Sequence, residues 1–168
     1  MYLHDMSDPL PWPDTLPADM PSCYARSALM VSRSLVRAYN AALREVGLPI
    51  TQVSLLVAIR RHPTATLTSL AEGLALERTT LLRNMRQLET TGFVEPAPSR
   101  GRARHYRVTE AGEAALARAY PAWVRMQRTL QEALGPDGET TLAALRHLRQ
   151  VAGALAAATD PSADEDTP

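Results

Sequence analysis

Lysine is absent from this 168-residue sequence, so its 18 basic residues are all arginines. Only one cysteine is present, Cys23, which excludes an internal disulfide framework and the paired thiolates of most structural zinc sites. Aromatic residues are also scarce, at 5% against 45% hydrophobic residues overall, so alanine and leucine dominate. Such a composition favours helices over a β-sandwich or a β-barrel.

Long apolar runs are missing as well. No segment approaches the ~20 uncharged apolar residues of a membrane span, and the acidic, proline-rich N-terminus is unlike a secretory signal. His4, His62, His105 and His147 lack the spacing of metal ligands, and no nucleophile motif, phosphate loop or paired-carboxylate arrangement is present. We therefore expect a single-domain cytoplasmic protein with no catalytic activity, no cofactor, no metal and no membrane partner.

Charge is unevenly distributed, although the formal net charge is zero. The first 20 residues carry four acids and no arginine, and the last nine residues carry four acids and no arginine. Ten acids then remain against 18 arginines, which leaves the body of the chain at +8. A basic body attracts polyanions, nucleic acids above all, and a well-solvated surface is the alternative interpretation. The acidic ends predict a proline-rich arm over residues 1–21 and a disordered tail over residues 159–168.

Two long helical patterns flank the middle of the chain. The first covers residues 22–46 and ends before Gly47 and Pro49. The second follows Thr109, a predicted N-cap, and runs to about residue 134 with a kink or break at Pro121. A last helix then runs to about residue 158. Its apolar stripe consists of Leu142, Leu145, Leu148, Ala152 and Leu155.

The middle of the chain begins with a further helix. Thr51 is expected to cap this helix, which ends near residue 61 before His62 and Pro63. The apolar spacing predicts that Val53, Leu56 and Val57 face the core.

Two short helices and a hairpin follow. The pattern predicts helices over residues 68–74 and 78–90, and Gly92 ends the second of them. Strands are predicted over residues 93–96 and 105–108, because apolar and polar side chains alternate in the second segment. The sequence of elements is therefore helix, turn, helix and hairpin.

The helix predicted over residues 78–90 has two chemically distinct faces. Leu81, Met85 and Leu88 recur at helical spacing and should be buried. The other face suits a DNA groove, because threonine can bond phosphates or bases, asparagine can pair with adenine and arginine with guanine. That face consists of Arg78, Thr79, Thr80, Arg83, Asn84 and Arg86, and Thr68 and Ser69 on the preceding helix are further DNA-contact candidates.

The loop of the predicted hairpin is strongly basic. It carries Arg100, Arg102 and Arg104 within five residues. Such a tip can enter a minor groove, where arginine senses the negative potential of narrow A·T tracts. Residues 77–108 contain seven arginines against three glutamates, so the local excess falls on the two elements that a winged helix offers to DNA.

Several motifs together resemble the MarR family of bacterial transcription regulators. The resemblance covers roughly residues 22–155 and rests on Leu70-Ala71, Arg78-Thr79-Thr80-Leu81, Arg83, Leu88-Glu89, Gly92-Phe93-Val94 and Gly101-Arg102 through Arg107-Val108-Thr109-Glu110-Ala111-Gly112. It implies a mainly α-helical (α+β) fold that contains a winged helix-turn-helix over residues 48–109. Residues 22–46 and 110–158 would form a two-fold dimerisation region. Each subunit would bind one DNA half-site through the helix Arg78–Thr90 and the wing arginine Arg102.

The sequence also departs from the family pattern. The family's wing usually carries an aspartate that holds its arginine, and Arg100 stands at the aligned position here. Leu82 occupies a position that is often polar, and Glu77 is a weaker helix cap than serine or aspartate. We therefore expect the wing to differ from the family in its geometry.

Small-molecule and redox roles follow from the resemblance alone. Family members bind phenolic or other apolar effectors between the dimer helices and the winged helix, which makes Tyr39, Tyr120, Trp123 and Met126 candidate ligand-binding residues. Ordinary core or dimer packing is the alternative for these side chains. Some peroxide sensors of the family carry a cysteine near the start of the first helix, so Cys23 is a candidate redox site, with a buried inert cysteine as the alternative.

The sequence thus predicts a sequence-specific DNA-binding regulator, acting as a homodimeric repressor on a pseudo-palindromic operator of double-stranded DNA. The alternative is a winged-helix module that binds another protein and no DNA. The arginine excess on the helix and the wing favours DNA.

Overall fold

The computed structural model describes residues 23–98 and 104–159. The arm predicted for residues 1–21, the wing arginines Arg100 and Arg102, and the acidic tail after Thr159 lie outside the described residues. Within the described ranges the elements are, in chain order, α1 (Tyr24–Ala42), a 3-10 turn (Arg44–Val46), α2 (Ile50–Arg61), α3 (Leu67–Leu74), α4 (Arg78–Thr90), β1 (Val94–Ala97), β2 (His105–Val108), α5 (Glu110–Leu134), a second 3-10 turn (Gly135–Asp137) and α6 (Gly138–Thr159).

The first helix is shorter than the 22–46 pattern predicts. The α-helix ends at Ala42, and a 3-10 turn and Gly47, in the left-handed region with φ of 69°, complete the segment. The prediction that Thr51 caps the next helix is wrong, because α2 begins at Ile50 after Pro49. Asn40 of α1 takes the capping role, since its Oδ1 accepts the backbone N–H of Ile50 at 2.8 Å.

Helix α2 lies at the centre of the core. It contacts α1, α3, α4, α5 and β2, so its buried arc is wider than an amphipathic surface helix would need. Val53 and Leu56 are buried as predicted, but Val57 is 38% exposed and Leu55 is fully buried in its place. The inward assignment of Val57 is therefore wrong.

The helix-turn-helix forms where the sequence predicts it. Helix α3 begins one residue earlier than predicted, because Thr66 is its N-cap and its hydroxyl accepts the N–H of Ser69 at 3.1 Å. Ala75 ends α3 in the left-handed region, with φ of 51°, a conformation that costs a residue with a Cβ about 1 kcal/mol. Helix α4 spans Arg78–Thr90 as predicted, and its buried stripe is Leu81, Met85 and Leu88.

The hairpin is a two-stranded antiparallel sheet. Its register pairs Val94 with Val108, Glu95 with Arg107, Pro96 with Tyr106 and Ala97 with His105. The first strand is displaced by one residue from the predicted 93–96, and the second strand agrees with the prediction.

The base of the hairpin is joined tightly to helix α5. Thr109 caps α5 as predicted, by accepting the N–H of Gly112 at 3.1 Å, and its hydroxyl donates to the carbonyl of Gly92 at 2.6 Å. Its own N–H donates to the carbonyl of Phe93 at 3.0 Å. The close approach of the first turn of α5 to Phe93 requires glycine at position 112, because a Cβ there would lie 2.2 Å from the Phe93 carbonyl oxygen.

The long helices flank this body. Of the predicted kink or break at Pro121, the break is wrong, because α5 continues through this residue from Glu110 to Leu134. The buried residues of α5 end at Ala122, and no residue of α1 or α6 is buried in the described chain. Leu142, Leu145 and Leu155 of the predicted α6 stripe are exposed. Within the part of the chain that the structure describes, no helix is both long and apolar enough to cross a membrane.

Candidate nucleic-acid interface

Helix α4 presents a basic face opposite its buried stripe. Packing of Leu81, Met85 and Leu88 into the core fixes the rotation of the helix about its axis. The side chains of Arg78, Thr79, Arg83 and Arg86 are consequently exposed, and Thr80 is half-buried. Because Glu77 precedes α4 without a side-chain cap, the N–H groups of the first turn have no bond from that side chain. Such N–H groups, with Arg78 beside them, suit a phosphate.

Asn84 has a partner within its own helix. Its Nδ2 donates to the carbonyl oxygen of Thr80 at 2.9 Å, and the residue is half-buried. A bidentate contact with adenine requires that amide to leave Thr80. Leu82 is also half-buried, on the side of α4 that faces α3.

The start of α3 lies beside the start of α4. Thr68 and Arg78 line the same open depression of about 330 Å³ between the two helices. Thr68 and Ser69 are both exposed, and the Ser69 hydroxyl donates to the carbonyl of Thr66 at 3.0 Å. The structure thus brings Thr68 close to the basic end of α4, while Ser69 faces a second depression on the other side of α3.

The hairpin of β1 and β2 is the described part of the wing, and polar contacts hold it along its length. Arg104 is exposed, and Arg107 forms an ion pair with Glu95 across the strands at 2.7 Å. The Nδ1 atom of His105 lies 3.3 Å from the carbonyl oxygen of Ala65, in the chain that enters α3. The sequence pattern does not mark Glu95, His105 or Arg107 as part of the candidate DNA-binding site. The alternation of the second strand, once registered against the first, is the signal that pairs Glu95 with Arg107.

Tyr106 connects the second strand of the hairpin to α4. Its side chain is buried, and this burial raises the pKa of its phenol, as does the neighbouring carboxylate of Glu89 on α4. The Arg104 guanidinium beside it acts in the opposite direction. The phenol therefore lies between an acid of α4 and a base of the wing.

The candidate ligand-binding residues lie on α1 and α5. The Tyr39 hydroxyl donates to Oε1 of Gln127, and burial raises the pKa of that phenol. Tyr120 and Trp123 stack with ring centroids 6.2 Å apart, although Tyr120 is 64% exposed. Met126 is half-buried. Tyr120, Trp123 and Met126 share a region of α5, and none of the four candidate residues lines either of the two depressions beside α3.

Cys23 directly precedes α1, and its side chain is exposed. The alternative that Cys23 is buried is therefore wrong for the described part of the chain.

The chain shares this architecture with solved transcription regulators. A model of the MarR family matches residues 48–104. The structure of the transcriptional regulator MosR from M. tuberculosis matches with a TM-score of 0.70 and 31% sequence identity, over 79% of this chain and 96% of that chain. This chain belongs to the MarR family. The family comprises transcription regulators rather than enzymes.

Two MarR-family structures that contain DNA are similar to this chain. MosR in complex with DNA matches with a TM-score of 0.65 and 31% identity, over 77% of this chain and 98% of that chain. A variant of MarR from E. coli complexed with operator DNA matches with a TM-score of 0.65 and 25% identity, over 76% of this chain and 91% of that chain. No curated protein sequence matches this chain significantly.

Proposed function

We propose that this MarR-family protein is a sequence-specific DNA-binding repressor that acts as a homodimer on a pseudo-palindromic operator. The observation that carries the proposal is the division of α4 into a buried leucine and methionine stripe and an exposed arginine and threonine face. DNA-bound MosR and MarR, which share the fold, support DNA as the partner. Such a regulator acts in the cytoplasm, where operator DNA lies.

Within this proposal, α4 enters the major groove. Arg78, Thr79 and Thr80 lie at its first turn, where recognition helices reach deepest, and Arg83 and Arg86 follow on the exposed side. Thr68, Ser69 and Asn84 are the remaining helix residues that we assign to DNA contact. The wing arginines Arg100, Arg102 and Arg104 are assigned to the adjacent minor groove.

Homodimerisation is supported by the apolar surface of the terminal helices. Helices α1 and α6 expose large apolar side chains that residues 23–98 and 104–159 leave uncovered: Tyr24, Leu29, Met30, Val31, Leu142, Leu145, Val151 and Leu155. A second copy of the same surface would cover them around a two-fold axis. Half-sites would then be spaced by about one helical turn of DNA. Residues 22–46 and 110–158 form the dimerisation region in this proposal, and residues 48–109 form the DNA-binding region.

Selection of bound duplexes from a random DNA pool tests the proposal. We expect a two-fold symmetric motif, with footprints that weaken in Arg83→Ala and Arg102→Ala. Arg128→Ala, an exposed arginine of α5, is the matched control and should leave the affinity unchanged. Affinity should fall by orders of magnitude between low and moderate salt, because several phosphates are contacted.

The alternative function, a protein-binding winged helix, predicts a different result. No duplex would then be enriched, or affinity would not depend on salt or on Arg83. In vitro transcription from a promoter that contains the selected motif distinguishes a repressor from an activator.

We further propose that a small apolar or phenolic molecule weakens operator binding from a site near Tyr39, Tyr120, Trp123 and Met126. The stacked Tyr120 and Trp123 rings support this placement. A Trp12→Phe variant leaves Trp123 as the single tryptophan. Titration with phenolic compounds should quench its fluorescence and release the operator in parallel, and quenching without release would contradict the proposal.

Oxidation at Cys23 is a second candidate for control, favoured by the exposure of its thiol. Peroxide treatment should then change operator affinity in the native protein and leave Cys23→Ser unaffected. Equal responses of the two proteins would exclude this role.

A further inference from the structure

The wing has little to hold it in place by itself. Each strand has only four residues, and an isolated two-stranded hairpin is at best marginally stable in water. Pro96 lies within β1 and offers no N–H to the ladder. The direction of the wing therefore depends on contacts with the rest of the fold, among them the junction with α5 at Thr109 and contacts with the helix-turn-helix.

His105 makes such a contact close to the loop of the wing. It pairs with Ala97 in the last described pair before the loop. The half-buried imidazole places Nδ1 3.3 Å from the carbonyl oxygen of Ala65, 40 residues earlier in the chain. An acceptor carbonyl requires a donor at this distance, so Nδ1 carries the proton.

The position of Ala65 gives this bond its importance. Ala65 directly precedes Thr66, the N-cap of α3. The bond therefore links the wing to the start of the helix that carries Thr68 and Ser69, so the two candidate DNA-contacting elements are connected by one side chain.

The other contacts of the two strands do not join the wing to the chain that enters α3. The ion pair of Arg107 with Glu95 joins the two strands to each other and leaves the orientation of the hairpin free. Arg107 is exposed and Glu95 is only half-buried, so the contribution of this pair is small. Tyr106 packs the opposite face of β2 onto the core and α4. His105 is thus the polar anchor on the face that Tyr106 does not fix.

We propose that His105 is a positioning residue for DNA binding, which holds the wing against the chain entering α3 and so directs the wing arginines into the minor groove. This role presupposes the wing contact of the proposed function. It also compensates for Arg100, which stands where the family has the aspartate that orients the wing arginine.

Three variants of the full chain separate the imidazole's donor from its bulk. His105→Phe keeps a flat ring without a donor, and His105→Asn keeps a donor near the position of Nδ1. On the duplex selected from the random pool, we expect His105→Phe to weaken binding about 3- to 10-fold, the range for loss of one hydrogen bond. His105→Asn should stay within about 2-fold of the native protein, because an amide can still donate to Ala65. Glu95→Gln, which removes the neighbouring ion pair, should have a smaller effect than His105→Phe.

A double-mutant cycle shows whether His105 acts through the wing. The loss caused by His105→Phe should disappear when Arg102→Ala is already present, and it should persist in an Arg83→Ala background. Thermal unfolding of each variant shows whether the fold is retained. If His105→Phe costs the same affinity in both backgrounds, or if His105→Asn behaves like His105→Phe, the inference is overturned.

The same measurements distinguish a failure of the proposed function. If Arg102→Ala alone leaves affinity unchanged, the proposed wing contact is wrong, and the inference falls with it. If Arg102→Ala weakens binding while His105→Phe does not, the proposed function stands and only the role of His105 is refuted.

Discussion

Helix α2 alone contributes five buried side chains, whereas α1 and α6, with 19 and 22 residues, contribute none in the described chain. The difference separates the molecule into a body that closes around its own core and a pair of terminal helices with uncovered apolar side chains. The body can be understood from one chain. The terminal helices cannot, because the described residues of one chain leave their large apolar side chains exposed.

The largest effect should come from truncating the core at its centre. Leu56 has no exposed surface, and Leu56→Ala should lower the free energy of unfolding by about 4 kcal/mol, through lost burial and the cavity left behind. Denaturant unfolding should give the same loss at low and high protein concentration.

Leu155→Ala is the matched leucine change on the terminal helices. Leu155 is 63% exposed, so we expect little change within the protomer but weaker self-association, measured by sedimentation. A concentration-independent loss as large as that of Leu56→Ala would contradict the division into body and terminal helices.

The next effect concerns a glycine at the junction of the body with α5. A Cβ on Gly112 would lie 2.2 Å from the Phe93 carbonyl oxygen and 2.6 Å from Cγ1 of Val108. We expect Gly112→Ala to cost about 3 kcal/mol by overpacking, measured by thermal or denaturant unfolding.

Gly153→Ala in α6 provides the comparison. A Cβ there meets nothing within 4 Å in the described chain, so the change should stabilise the helix by about 0.5–1 kcal/mol. A severe loss at Gly153 would instead show that α6 is tightly packed against a partner.

A smaller effect is expected where α1 meets the body. Asn40→Ala removes the acceptor of the Ile50 N–H and should cost about 1 kcal/mol, whereas Asn40→Asp should retain most of the stability. Asn84→Ala is a useful contrast, because Asn84 bonds only its own helix. Equal losses of unfolding free energy at both positions would argue against the capping role of Asn40.

The smallest effect belongs to the exposed ion pair between α2 and α5. Arg60 Nε lies 3.2 Å from Oε1 of Glu113, and the Arg60 side chain is exposed while Glu113 is half-buried. A double-mutant cycle with Arg60→Ala and Glu113→Ala should give a coupling of about 0.2–1 kcal/mol that fades in high salt. A larger, salt-insensitive coupling would show that the pair is shielded from water in the assembled protein.

Local patterns in the sequence predict the body well. The stripe of Leu81, Met85 and Leu88 and the alternation of the second strand each depend on residues within one element, so periodicity is sufficient. Local sequence favours Thr51 as a cap, but the cap comes from Asn40 on another helix. Periodicity favours Val57 as a core residue and does not single out Leu55, because it does not reveal that five elements surround α2.

Local sequence patterns predict one part of the candidate DNA-binding site and miss another. The exposed arginines of α4 follow from its buried stripe and were predictable. The bond of Asn84 to Thr80 and that of His105 to Ala65 depend on side-chain rotamers and on a contact across 40 residues, so no sequence pattern indicates them.

The junction at Thr109 has a mechanical consequence. The wing's second strand ends at Val108 and α5 begins at Glu110, so only Thr109 separates them, and its hydroxyl and N–H donate to the carbonyls of Gly92 and Phe93. Helix α5 then extends for 25 residues, about 37 Å. Because no flexible linker separates the wing from α5, any rotation of α5 about Thr109 would also change the direction of the wing.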